Sequence, residues 1–348
     1  MKEEYNLDLY NFELPKELIA QLPSQKRSES RLFYYDRKID KISHLKFRDI
    51  LDILDENYCI VLNNTKVESR KIECKKSTGG SIFILITYYE DNLLKFIPYK
   101  SINSSRRLIL PNNIEIEIKY KNLQTGEFEA FGNFSKEDIE NIIKSFGLPP
   151  LPPYIKRKKD DERIKIDFER YQTVYAQKNG SIAAPTAGLH FDKEIIRKLI
   201  EKNVKVLYIT LHVGISTFKP VKTKDITKHK IFPEFAEVSK ETAEGIVKSK
   251  KENKKIIAVG TTVVRTLEFL FSKFGEIKPY SGEIDLYIYP GYDFKVVSGI
   301  ITNFHLPKSS NLILISAFVG REKLLELYKI AIENRYRFYS YGDAMLIL

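Results

Sequence analysis

The sequence predicts an α/β protein, in which a larger α/β domain with a mostly parallel sheet is interrupted by a small antiparallel, barrel-like β domain. Three features predict it. After residue 168, strand-like and helix-like stretches alternate, the order that builds a helix-covered parallel sheet. Between about 67 and 147, short strand-prone runs are separated by turn chemistry (STGGS, YEDN, LPNN, LQTGE), as in a small barrel. Between these regions, the four prolines of GLPPLPPYI force an extended path that neither a helix nor a central strand follows. The larger domain is therefore expected to be discontinuous, 1–66 and 148–348, with the insert at 67–147.

Each element has its own reason. LPKELIAQLPSQKRSESRLFYYD (14–36) reads as a short helix, a polar turn and a strand, and YCIVLNNTKV (58–67) as a buried strand ending in an Asn-Asn-Thr turn. IEIEIKY (114–120) alternates with a period of two, as a half-buried strand does. DKEIIRKLIEKN (192–203) has helical spacing after Asp192 as a cap, and VKVLYITLHVG (204–214) follows as a strand. SKETAEGIVKSKKENK (239–254) predicts a helix before the strand KIIAVG (255–260). TTVVRTLEFLFSKF (261–274) predicts another helix, with Thr261 or Thr262 as its cap. ILISAFVG (313–320) and REKLLELYKIAIEN (321–334) repeat the strand-then-helix order.

Composition narrows the function. The 348 residues carry a formal charge of +11, which suits an anionic partner such as RNA, or reflects a lysine-rich proteome whose solvated faces drift basic. Cys59 and Cys74 are the only cysteines, so neither a disulfide framework nor a structural zinc site is expected. The opening MKEEYNLDLYNF lacks the basic and apolar regions of a secretory signal. No apolar run approaches the eighteen or so residues of a membrane span, so a cytoplasmic protein without membrane contact is expected. No dinucleotide fingerprint, P-loop or H-E-x-x-H occurs, and the histidines are too scattered to propose a metal.

Five segments end a strand or turn in small, hydroxylated or imidazole side chains: SIAAPTAGLHF, TLHVGISTFKPV, VGTTVVRTLE, ITNFHLPKSSN and YRFYSYGDAML. Ligands of open α/β sheets gather outside the carboxyl ends of strands, so these loops are expected to converge. Four of the five histidines lie in this half (His190, His212, His229 and His305), and imidazole is poised for proton transfer near neutrality. Each loop also has a plain structural reading, such as a cap or a tight bend with Asp343 capping it.

Taken in order, these segments carry a resemblance. Together with LPKELIAQ, SRL, LNNTKV, GLPPLPPYI, ERYQTVYA and YIYPGY, they make the chain similar to the S-adenosylmethionine:tRNA ribosyltransferase-isomerases of queuosine biosynthesis. The match runs along almost the whole chain and is loose only over about 75–145. The resemblance implies transfer of the ribosyl part of S-adenosylmethionine to 7-aminomethyl-7-deazaguanine at the tRNA wobble position, with release of adenine and methionine. It also implies an α/β domain with an inserted β-barrel. No permanently bound cofactor is implied, S-adenosylmethionine being a co-substrate, and a monomer is expected. The sequence departs from the family pattern at Ser216, where glycine is expected, at Phe232, where many relatives place histidine, and at Phe235, where many place tryptophan.

On this reading His190, His212 and His305 form the acid–base set, with His229 and Glu234 as further candidates. Thr186 and Gly188 let the adenosyl group lie against the backbone. Thr261, Thr262 and Arg265 hold the methionine carboxylate at a helix N-terminus. Tyr171, Asn303, Tyr341 and Asp343 read the two bases. Lys156, Arg157, Lys158 and Lys159 meet phosphates of the anticodon loop. A non-catalytic RNA-binding protein and an enzyme acting on a free nucleoside are the other classes open at this point.

Overall fold

The computed structural model describes residues 3–77, 79–102, 106–158, 160–214 and 221–348. Its main sheet is built outward from β3 (Tyr58–Asn63), whose side chains alternate between two cores. Cys59 and Val61 join one hydrophobic cluster, Ile60 and Leu62 the other, so the strand is buried on both faces. β12 (Lys205–Leu211) and β14 (Lys255–Val259) flank it in parallel, and β16 (Gly299–Asn303) continues beyond β14 in the same direction.

The nine-stranded sheet is mixed, and this corrects the expectation of a mostly parallel one. β17 (Ala344–Ile347) runs antiparallel to β16 and parallel to β1 (Arg31–Asp36), which forms an antiparallel hairpin with β2 (Lys41–Lys46). At the other edge β13 (Glu234–Val238) pairs antiparallel with β12 and with β15 (Tyr280–Ile284). The physical reason for the β17 reversal lies in ILISAFV. This stretch is a helix, α7 (Ser310–Val319), and not the expected strand. Ser309 caps it, its Oγ accepting from Leu312 N at 3.2 Å, and its apolar residues are buried nearly all round. A short, uniformly apolar run has no period by which to tell helix from strand. α7 packs against α8 (Arg321–Glu333), and two helices in succession return the chain to the end of the sheet it left, so the next strand runs antiparallel.

One layer of helices comprises α5 (Lys240–Lys251), α6 (Thr261–Phe274), α7 and α8, all contributing to the same core as Val61. The opposite face is covered by α1 (Ile50–Ile53) and α4 (Lys193–Glu201). In α4 the Asp192 side chain accepts from Ile195 N at 2.8 Å, a cap worth about 1 kcal/mol, while Ile195 and Leu199 face the core. α6 differs from its expected start: neither threonine caps it. Gly260 occupies that position at φ +91°, a conformation that favours glycine, and supplies no side-chain cap.

Six strands close the barrel in the order β10-β7-β6-β5-β8-β9. They are β5 (Lys71–Lys76), β6 (Ser81–Glu90), β7 (Leu93–Pro98), β8 (Arg107–Ile109), β9 (Glu115–Lys121) and β10 (Phe128–Gly132). α2 (Lys136–Phe146) adds Ile139, Ile142 and Ile143 to the barrel core. The two-stranded pair β4 (Thr65–Val67) and β11 (Lys178–Ser181) links β3 to the segment carrying Ala183–His190. α3 (Arg163–Arg170) follows the proline-rich stretch, which forms no regular element among its described residues.

Gly188 shows how tightly that segment is packed. A Cβ built there would lie 2.0 Å from the Tyr175 hydroxyl, an atom without a hydrogen-bond partner among the described residues. Gly188→Ala is expected to lower unfolding free energy by about 1–3 kcal/mol in urea melts, the usual penalty of overpacking. Adding Tyr175→Phe should recover part of the loss; no recovery would show that another contact sets the limit.

Candidate active site

The carboxyl ends of β12, β3, β14 and β16 lie along one edge of the sheet, and three adjoining hollows open there. The first is a cleft of about 100 Å³ walled by Ala183–Ala187, by Gly260, Thr261 and Thr262, and by Asn303, Phe304 and His305. A second, of about 370 Å³, holds His229, Arg265 and Tyr287 and reaches the barrel's β9–β10 turn at Leu123–Gly126. Asn311 lines both. A third, of about 320 Å³, contains His212 and Glu234, sharing Val213 with the cleft and Thr125 and Phe232 with the second hollow.

The histidines separate into two kinds. His305, His212 and His229 each line one hollow. His305 Nε2 meets Thr302 Oγ1 at 2.8 Å, and burial pushes its pKa down to about 3. His212 Nδ1 meets Thr65 Oγ1 at 2.8 Å, and its ring stacks on Phe235 at 5.8 Å. His229 stands edge-on to Tyr287 at 5.2 Å. Burial lowers the pKa of both His212 and His229, so at neutral pH these rings are uncharged.

His190 lies behind the cleft wall instead. Its Nδ1 lies 2.7 Å from Ser30 Oγ and its Nε2 3.1 Å from Asn303 Nδ2. Ser30 Oγ donates to Arg27 O, so it accepts from Nδ1–H, which leaves Nε2 to accept from the amide. The same Nδ2 donates to Tyr339 O at 3.1 Å, and Oδ1 has no partner among the described residues. His190 and Tyr339 O together therefore fix the position of the Asn303 amide nitrogen.

Thr186, Thr261, Thr262, Tyr171 and Asn303 line the cleft, with Thr261 Oγ1 donating to Asn311 Oδ1 at 3.1 Å. Gly188 does not line it; its Cα faces Tyr175 and Thr173. Glu234 and Arg265 form a buried ion pair, in which Glu234 also accepts from Gly214 N at 2.8 Å and Arg265 Nε donates to Leu286 O at 3.1 Å.

Tyr341 and Asp343 do not reach the cleft. The Tyr341 hydroxyl donates to Asp167 at 2.8 Å, and Asp343 accepts from Arg31 N and Arg337 N at 3.0 and 2.8 Å, tying the last turn to β1. Arg157 is likewise committed inward, forming a two-pronged pair with Asp167 at 2.7 and 2.9 Å in which both side chains are buried. Lys156 and Lys158 are exposed, while Lys159 and Ser216 lie outside the described residues. Phe232 takes part in the walls of two hollows. Among the described residues no group of three or more His, Cys, Asp or Glu is placed to hold a metal ion, and no helix is long and apolar enough to cross a membrane.

Sequence reasoning missed Ser30, Asn63, Thr65, Tyr287 and Asn311. The LNNT turn was the available signal for two of them, because consecutive Asn residues at a strand end seek local hydrogen bonds. Ser30, Tyr287 and Asn311 stand in SRL, YIYPGY and ITNFHLPKSSN, segments that carry the resemblance, but no residue pattern there singles them out for the site.

Fold and site together define an α/β protein with an inserted barrel and a cleft at its strand ends. The chain belongs to the family described as queuosine biosynthesis protein, whose model matches residues 7–347. It is 45% identical over 343 residues to an S-adenosylmethionine:tRNA ribosyltransferase-isomerase of Sulfurihydrogenibium, covering 97% of this chain and 98% of that protein. The corresponding protein of Aquifex aeolicus is 42% identical, with 98% and 99% covered. The crystal structure of an S-adenosylmethionine tRNA ribosyltransferase from Thermotoga maritima superposes with a TM-score of 0.56 at 31% identity, covering 98% of this chain and all of that one.

The buried His190 makes stability depend on pH. Burial, and then the charges of Arg337, Arg27 and Arg170, push its pKa down to about 3 from an ordinary 6.5. Below pH 6.5 the unfolded chain takes up a proton that the folded chain refuses, so stability falls with pH until about 3. Urea melts are expected to show about 2 kcal/mol lost from this group between pH 7 and 5. A His190→Gln variant should show a correspondingly smaller drop; an equal drop would contradict the assignment.

Proposed function

We infer that this chain is an S-adenosylmethionine:tRNA ribosyltransferase-isomerase of queuosine biosynthesis. It moves and isomerises the ribosyl group onto 7-aminomethyl-7-deazaguanine at the tRNA wobble position, yielding epoxyqueuosine-tRNA, adenine and methionine. The observation that carries this is identity of 42–45% with proteins of that name over nearly the whole length of both chains. The cleft supports it: its small-residue wall at Ala183–Ala187 admits a flat nucleobase against the backbone, and Asn303 Oδ1, without a partner among the described residues, is an acceptor for an exocyclic amine.

The reaction needs a base, because the sulfonium acidifies the neighbouring 5′ carbon and the acceptor amine must lose its proton before attack. Neutral imidazoles supply one. His212 suits the role: Thr65 holds Nδ1, the ring lines a hollow bordered by both the sheet and the barrel, and burial keeps it unprotonated. Phe235, 41% exposed and stacked on that ring, offers its other face to an unpaired base. His190 acts at one remove, by orienting Asn303. Lys156 and Lys158 remain the phosphate contacts of this reading.

The test is adenine release from S-adenosylmethionine with and without tRNA bearing the aminomethyl base. Release is expected only with that tRNA. His212→Ala should slow it by about 100-fold or more while S-adenosylmethionine still binds. Parental turnover in the variant would remove His212 from the chemistry. tRNA binding without any release by the parent would favour a non-catalytic RNA-binding protein.

A further inference from the structure

We propose that the 370 Å³ hollow beside the β9–β10 turn seats the carboxylate of the amino-acid part of the sulfonium substrate, with the Tyr287 hydroxyl and Arg265 Nη2 as its donors. The inference rests on the activity assigned above and specifies where one end of the substrate goes. The first reason is size. The cleft at Ala183–Ala187 offers about 100 Å³, short of the roughly 300 Å³ at which small-molecule pockets begin, so a sulfonium nucleoside must extend beyond it. The hollow meets the cleft at Asn311 and along the first turns of α6, which place Thr261 and Thr262 in one and Arg265 in the other.

The second reason is a set of buried polar atoms left without partners. Arg265 is buried to 7% exposure, and its Nη1 and Nε are held by Glu234 and Leu286 O. Its Nη2 is bound to nothing among the described residues, and the same holds for the Tyr287 hydroxyl and Thr223 Oγ1. All three residues line this hollow. Unpaired buried donors are costly, and several around one hollow mark the place of an acceptor. Burial raises the Tyr287 pKa, so its phenol remains a donor.

The third reason is charge. Among the described residues no acidic side chain lines the hollow, and Lys222 and Lys230 stand exposed at it. With Nη1 taken by Glu234, the guanidinium gives one bond and Tyr287 a second, one for each carboxylate oxygen. An RNA phosphate fits less well, since it carries a sugar on either side and the apolar side chains of Ile288 and Leu314 form part of the wall.

Calorimetric titration of the whole chain tests this, with Tyr287→Phe as the variant. The substitution removes only an atom that no group among the described residues uses, so the melting temperature should be unchanged. The ligands are S-adenosylmethionine, its decarboxylated analogue and an anticodon stem-loop RNA. Tyr287→Phe should weaken S-adenosylmethionine binding roughly tenfold or more, as loss of a hydrogen bond to a charged group does, and leave the analogue and the RNA unaffected. Unchanged S-adenosylmethionine affinity, or equal weakening of the analogue, would overturn the proposal. So would a loss confined to the RNA, which would assign the hollow to a phosphate. A parent chain that binds no S-adenosylmethionine would sink the activity itself, an outcome distinct from parental binding that the variant leaves intact.

Discussion

One carboxamide sets the geometry on which the site depends. Asn63 ends the central strand and is 1% exposed. Its Oδ1 accepts from Leu211 N and Thr65 N at 3.0 and 3.1 Å, and its Nδ2 donates to Leu211 O and Thr262 Oγ1 at 3.0 and 3.3 Å. The backbone ladder between β3 and β12 ends at the Asn63–Ile209 pair. The side chain continues the pairing for β12 alone, which frees the main chain to turn away through Asn64 into β4. The strand carrying His212, the threonine that holds its ring and the start of α6 are thereby fixed to one point. An apolar residue at 63 would leave the Leu211 amide and carbonyl buried without partners, at about 1–3 kcal/mol each.

Burial then decides what the histidines can do. An imidazole shielded from water on the edge of a basic protein is uncharged at neutral pH, and the four in this region all carry lowered pKa values. That suits a reaction with a cationic substrate: a charged imidazolium would repel the sulfonium, whereas a neutral ring presents a lone pair. His190 differs in having no free nitrogen. Its value lies in holding an amide, and the same desolvation that keeps it neutral makes the fold sensitive to acid.

Much of the fold was legible because it rests on local rules. Asp192 before a 3.6-period stretch announced α4, and the alternation of IEIEIKY announced a barrel strand. α7 was not legible, because a run apolar on every side is set by the layers around it and not by its own period. With that helix misread, the direction of β17 was lost as well. In the site, residue types were visible and their facing was not. Arg157, Tyr341 and Asp343 are chemically suitable for recognition, yet two of them converge on Asp167 and the third ties down a turn. Partners distant in sequence decide such matters, as Ser30 does for His190 from 160 positions away.

The central claim is that loops from separate strands close on one small-molecule ligand. Hydrogen–deuterium exchange with and without saturating S-adenosylmethionine addresses it directly. Slower exchange is expected together in 183–188, 260–266 and 302–306, with the outer barrel strands unchanged. Slowing confined to a single one of these segments, or to the barrel, would contradict it.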